Sequence, residues 1–338
     1  MRCLIIILGL FAASLSCAIA FEATTPPAPH STRIIFLGTY GGPKAVKFRS
    51  EPATLIVADK IPYLIDVGAG TDRQLAWAGV RHSDVRAVFI THHHIDHDGG
   101  LVSFMSLTWF EKAWHHLSPT PVDIYGPPAT SYLVHTALDY LGVSERIFRA
   151  GVPALIPSDG MFPAHDIATN GEVYSKDGVR VAAAKNSHFF FASRGLTGEI
   201  DKSYAYRFDT PSGSVVFTGD TGPSDAVAKL AEGADVLVSE VCACTEASVS
   251  AKAERDGAAT RAPEGLDAQE DFHMAHEHLA PEEVGRIATR AHVKTVILTH
   301  FVPGEDDETD ATGYTSGVRR TFSGTVIAAR DLLEFDLP

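Results

Sequence analysis

The chain has 338 residues, 45% of them hydrophobic and 21% charged, with a formal net charge of −14. Such a composition excludes a disordered or fibrous protein and leaves room for a large buried core. The net acidity disfavours broad electrostatic attraction to a nucleic acid polymer or an anionic membrane.

Residues Met1 to Ala20 read as an export signal. Arg2 precedes the apolar stretch Leu4 to Ala13, and Ala18-Ile19-Ala20 offers small residues for a signal peptidase. The stretch is shorter than a usual spanning helix, and no other segment approaches ~20 uninterrupted apolar residues. Ser14-Leu15-Ser16 is a poor lipoprotein pattern before Cys17, which disfavours a lipid anchor. The expected product is periplasmic or secreted, with no membrane span after signal removal. Pro26, Pro27 and Pro29 make residues 21–32 a linker, and residues 33–338 are then the folded domain.

That domain opens with a strand over Arg33 to Leu37 and the turn Gly38-Thr39-Tyr40-Gly41-Gly42-Pro43. Glycines there either let the backbone approach a ligand or simply turn the chain. Strands over Thr54–Ala58 and Tyr63–Asp66 lead to a helix over Thr71–Ala78. The short β-branched run Val85 to Ile90 then enters Thr91-His92-His93-His94-Ile95-Asp96-His97-Asp98-Gly99-Gly100, an H-x-H-x-D-H pattern at a strand end. Neutral imidazoles and carboxylates on such a loop are the ligands a hydrolytic zinc prefers. His92 and His94, at alternate positions, point into one cavity, while Asp96 and His97 turn towards a neighbouring point. That spacing suits two metals; a solvated His-rich turn is the plainer alternative.

Downstream, a helix is expected over Leu101–Phe110. Val122-Asp123-Ile124 should be a strand, Tyr125-Gly126-Pro127-Pro128 a turn, and the chain helical to Leu141. Gly151 to Asn170 reads as loop. Single ligand-type residues then follow β-rich runs: His188 after Val179–Ala184, Asp220 after Val215-Val216, and His300 after Thr295–Ile297. Strand-like Val236–Val238 ends at Ser239-Glu240-Val241, and His278 precedes the helix entry at Pro281-Glu282-Glu283, with His276 as its rival. A carboxylate paired with an imidazole orients it and favours its protonated form. Cys242 and Cys244 lie two apart on a strand and face opposite ways, so a mutual disulfide is strained; simple burial is expected, with a soft metal ligand as the alternative. The insertion over 243–275 reads as a helical lid or a solvated excursion. The acidic run Gly304 to Asp310 reads as a solvated loop. Val326–Ala329 and Leu332–Phe335 suggest closing strands.

The H-x-H-x-D-H motif, with Phe36-Leu37-Gly38-Thr39 and Leu64-Ile65-Asp66-Val67-Gly68 before it, resembles the signature of the metallo-β-lactamase superfamily. The resemblance implies an α/β fold, a four-layer αββα sandwich in one domain. It assigns His92, His94 and His188 to a first zinc, Asp96, His97 and His300 to a second, and Asp220 to both. Ser239-Glu240-Val241 and His278-Leu279-Ala280 are similar to the His-Glu-Ala and His-Ser-Thr patterns of the ribonuclease Z branch, with Ser239 replacing the first His and Leu279-Ala280 replacing Ser-Thr. By that likeness Glu240 supports His278 as proton donor to a leaving oxygen, and Asp96 orients or deprotonates a water that two zinc ions have acidified. Mn²⁺ or Fe²⁺ also suits such mixed ligands. The expected substrate is a small phosphodiester or aryl sulfate ester, because export, net acidity and the lack of a basic, glycine-rich arm all argue against transfer RNA. Lactone or β-lactam hydrolysis and a non-catalytic zinc-binding role are the alternatives; Asp220 stands where many zinc β-lactamases carry Cys. The family likeness also implies a homodimer.

Overall fold

The computed structural model describes residues 30–117, 120–189, 200–243, 266–302 and 310–337. The expected signal, nearly all of the linker, residues 244–265 of the insertion and most of the acidic run lie outside them. Two seven-stranded sheets face each other. The first runs β14 (Glu334–Asp336), β1 (Thr32–Gly38), β2 (Ala53–Ala58), β3 (Ile61–Ile65), β4 (Ala87–Phe89), β5 (Asp123–Gly126) and β6 (Ala164–Asp166). The second runs β13 (Thr325–Ala328), β12 (Thr295–Val302), β11 (Val236–Cys242), β10 (Gly213–Phe217), β9 (Tyr204–Thr210), β8 (Val179–Lys185) and β7 (Gly171–Lys176). In each sheet the pairing is antiparallel over one half and parallel over the other. The last strand returns to pair with the first, so the two sheets close into one domain.

Alternation along the strands separates the layers, because successive side chains leave opposite faces of a sheet. Ile34 and Phe36 turn inward and meet Ile56, Tyr63 and Phe89 of their own sheet and Tyr206, Phe208 and Val238 of the other. Their neighbours Ile35 and Leu37 face outward, where with Leu55, Leu64 and Val88 they bury Phe104, Trp109, Val134 and Leu141 of the helices Leu101–Trp114 and Thr130–Gly151. Val216, Leu237, Val296 and Leu298 cover Val227, Ile287 and Val318 of the helices Asp225–Leu230, Pro281–Ala291 and Thr312–Arg319 in the same way. Three apolar seams therefore define four layers, the αββα sandwich.

Some expectations need adjusting. The helix expected to stop near Leu141 continues to Gly151, because Ala137, Leu141 and Glu145 carry one buried face onward. The strand before Glu240 does not end at Val238 but runs through Glu240 to Cys242. Cys242 is buried as expected, yet it is disulfide-bonded rather than a free thiol; its partner lies outside the described residues. No helix among the described residues is long and apolar enough to cross a membrane.

Candidate metal centre

Parallel strands deliver their C-terminal ends to one edge of a sheet, and ligand sites in α/β folds gather there. From the end of β4 come His92 and His94 on an extended loop, then Asp96 and His97 on the single helical turn Ile95–Asp98. That turn is pressed onto the loop after β3: a Cβ on Gly100 would stand 2.8 Å from the carbonyl oxygens of Val67 and Gly68. Only glycine fits there. The second sheet supplies His188 after β8, Asp220 after β10, and His300 within β12.

His92, His94 and His188 form one group. The Nε2 atoms of His92 and His188 each lie 3.1 Å from Nδ1 of His94. The far nitrogens of the two outer rings are already engaged: Nδ1 of His188 meets the carbonyl of Glu277 at 2.9 Å, and Nδ1 of His92 meets the Thr91 hydroxyl at 3.1 Å. Burial pushes all three imidazoles below their ordinary values, so each presents a neutral lone pair to the shared point.

Asp96, His97 and His300 form the second group, with both imidazole Nε2 atoms 3.5 Å from Oδ2 of Asp96. Oδ2 of Asp220 lies between the groups, 3.4 Å from His97, 3.1 Å from His300, 3.9 Å from His92 and 4.0 Å from His188. Here the electrostatics invert. Burial opposes charge on His97 and His300, but Asp220 and Asp96 outweigh it, aided at His97 by Asp66; His97 is held well above its ordinary value and His300 is pushed up to about 10. Two imidazoles drawn towards positive charge thus face each other with Nε2 atoms only 3.2 Å apart. The acidic ring demands a cation at this point. A metal held by neutral rings supplies that charge without the clash, and the buried Oδ1 of Asp220, with no hydrogen-bond partner among the described residues, is a further donor atom. The donor set fits a pair of divalent ions.

Asp66, just beyond β3, is the carboxylate behind the cluster that ligand counting in the sequence missed. Its carboxylate takes Nδ1–H of His97 at 2.8 Å and the backbone N–H of Thr91 at 2.7 Å, which aims Nε2 of His97 inward. Both Asp66 (φ 59°) and His300 (φ 46°) adopt left-handed backbone conformations that disfavour non-glycine residues, and such strain concentrates at working sites. The signal was an Asp at a strand end just before Val67-Gly68. The glycine-rich turn after β1 also reaches the centre. Gly42 donates its N–H to Oδ2 of Asp96 at 3.1 Å, and a Cβ on Gly41 would stand 2.8 Å from Nδ1 of His300.

Beside Asp220 lies the pair expected from Glu240 and His278. Nδ1 of His278 donates to Oε2 of Glu240 at 2.6 Å, and the other oxygen of Glu240 accepts the backbone N–H of Thr221. His278 joins Asp220 and His300 as a third potential ligand group, so its second nitrogen belongs to the cluster. His276 belongs to none of the ligand groups among the described residues: its Nδ1 meets the carbonyl of Phe272 at 2.7 Å and its ring lies tilted against that phenyl.

A model of the β-lactamase superfamily domain matches residues 63–301, which contain every residue of this cluster. A ribonuclease Z of Mycobacterium bovis is 30% identical over 303 residues, covering 88% of this chain and 96% of the relative. The chain belongs to the metallo-β-lactamase superfamily, on its ribonuclease Z-like side. Solved members share the fold: the metallo-β-lactamase fold protein YhfI of Bacillus subtilis (18% identity, TM-score 0.62, 90% of this chain and 99% of that one) and the short form of human tRNase Z (19%, TM-score 0.58, 90% and 99%). As a metallo-β-lactamase-fold hydrolase it departs from the ribonuclease Z pattern at Ser239, which is fully buried and donates its hydroxyl to the carbonyl of Glu240, and therefore presents no imidazole to the site.

Proposed function

We propose that this protein is an exported hydrolase that holds two divalent ions, zinc by preference with Mn²⁺ or Fe²⁺ as alternatives, and cleaves a small phosphodiester. His92, His94 and His188 would hold one ion and Asp96, His97 and His300 the other, with Asp220 shared. Such a pair, when bound, supplies an acidified water and positive charge for the oxygens of the attacked centre. Asp96, fixed by the Gly42 N–H, orients the attacking water; burial would raise its pKa, but His97 and His300 outweigh burial and keep it ionised.

The observation that carries the choice is His278. With Nδ1 committed to Glu240, only Nε2 is left to give a proton to a departing alkoxide or phenoxide. Burial works against charge on this ring, but Glu240 outweighs it and raises its pKa. Lactone and β-lactam opening show no evident need for such a pair. The relatives named ribonuclease Z support a phosphodiester, and the net charge of −14 supports a small one rather than an RNA. Export is supported by the pattern of Met1 to Ala20 and by the disulfide at Cys242, since disulfides persist in oxidising compartments.

The test is hydrolysis of bis(p-nitrophenyl) phosphate and p-nitrophenyl sulfate by protein loaded with zinc and then stripped with chelator. Chelator-sensitive turnover of the phosphate is the expected result. Turnover of the sulfate alone makes the enzyme an arylsulfatase, and silence on both with two ions bound leaves a different ester or a binding role.

A further inference from the structure

A second imidazole stands at the mouth of the centre with no part in the mechanism above. His273, on the helix Leu266–Glu277, has a side chain 36% exposed, so it is open to solvent where His278 is not. Its Nδ1 is paired with the carboxylate of Glu277, just as Nδ1 of His278 is paired with Glu240. The two rings are 5.1 Å apart between centroids and mutually perpendicular. A ring whose Nδ1 is held by a carboxylate is the usual form of a metal-binding histidine, oriented and made more basic at Nε2. Two of them side by side, with two glutamates behind, make a chelating arm.

Potential ligand atoms of His188, His273 and His278 lie within 4.8 Å of one another, a range that includes the separation of about 3.3 Å between nitrogens around a tetrahedral zinc. Since His188 is already assigned to the first ion, His273 and His278 remain. Glu277 also couples the arm to the centre, because its carbonyl receives Nδ1–H of His188.

We propose that His273 and His278 form a third, weaker divalent-cation site whose occupation inhibits the enzyme. A cation on Nε2 of His278 takes the position of the proton that this residue would deliver. The inhibitory effect rests on the reading of His278 as proton donor; the cation site itself does not. The ligands are two neutral imidazoles and water, with Glu240 and Glu277 supplying negative charge behind them. Such a site binds zinc less tightly than the two groups around Asp220 and fills only when zinc is in excess.

The experiment is equilibrium dialysis of the whole protein against graded zinc chloride, with zinc per chain measured by elemental analysis, for the wild type, His273→Ala and Glu277→Gln. Thermal unfolding of each variant checks that it is folded. The wild type is expected to bind two equivalents tightly and a third at least about tenfold more weakly, with bis(p-nitrophenyl) phosphate turnover falling as the third fills. His273→Ala should keep the two tight equivalents and basal turnover but lose the third and its inhibition. Glu277→Gln should weaken the third by about tenfold. A wild type that stops at two equivalents overturns the proposal, and so does a third equivalent retained by His273→Ala, which then belongs to surface histidines. Absence of the two tight equivalents, or of turnover when they are filled, refutes the hydrolase reading instead, and the zinc count still decides the third site.

Discussion

His82 and His278 are both buried histidines bound by carboxylates, and only His278 belongs to the centre. His82 joins the first sheet's helices: Nε2 meets Asp72 at 2.9 Å and Nδ1 meets Glu111 at 3.2 Å. His278 spends Nδ1 on Glu240 and keeps its other nitrogen in the cluster with Asp220 and His300. Their side chains are similarly hidden, 9% and 5% exposed. Burial and a carboxylate partner therefore do not distinguish function from structure. What distinguishes them is whether a nitrogen remains unspent and what it faces. His97 belongs with His278 by this criterion, since Asp66 holds its Nδ1 and its Nε2 faces the other ligands.

The contrast is most exposed to failure at His278. His278→Gln is expected to lower kcat on the phosphodiester by about 10²–10⁴-fold while two zinc ions stay bound, which elemental analysis and steady-state kinetics check together. Near-normal turnover breaks the distinction outright. Asp66→Asn should weaken zinc by about 10–100-fold, read by competition with a chromogenic chelator, because His97 loses the partner that orients it. Unchanged affinity would mean that packing alone aims the ring.

His82→Gln should leave turnover per folded molecule intact and lower unfolding free energy by roughly 2 kcal/mol. Its pH dependence has a definite sign. Burial disfavours charge on His82, but Asp72 and Glu111 outweigh it and push its pKa up to about 9 from an ordinary 6.5. Its contribution is therefore full below pH 6.5 and is lost as pH rises through about 9. Glu111 runs the other way: burial would raise it, but His82 and the Ser83 N–H hold it at about 2 against an ordinary 4.5, so its contribution is lost as pH falls through about 2. The stability gap between wild type and His82→Gln is thus widest between pH 4.5 and 6.5 and narrows by pH 10, measured by denaturant unfolding of the zinc-loaded proteins. A gap that does not change with pH would show that His82 works by packing alone.

Much of the centre was legible because its signals are local. His92, His94, Asp96 and His97 sit within one loop and one helical turn, and the apolar runs before His188, Asp220 and His300 mark strand ends without knowledge of the partner strands. Asp66 was harder to recognise, because a second-tier carboxylate differs from a surface one only in what it touches. Cys242 was expected to be simply buried, and it is buried but disulfide-bonded, because a disulfide leaves no mark in the sequence around the cysteine. His273 carried no signal at all, lying in a polar segment whose helix places it beside His94, His188 and His278.

The sequence by itself determined the donor types, their grouping at strand ends and the alternating faces that build a sandwich, because each depends on residues within a few positions of one another. Tertiary structure alone decided which nitrogens face the centre, that His278 rather than His276 stands there, and that His82 does not. Those outcomes depend on partners brought together from opposite sheets, such as His97 and His300, which are 203 residues apart in the chain. A ring's free nitrogen is whatever its bonded neighbour leaves unused, and closure of the two sheets chooses that neighbour.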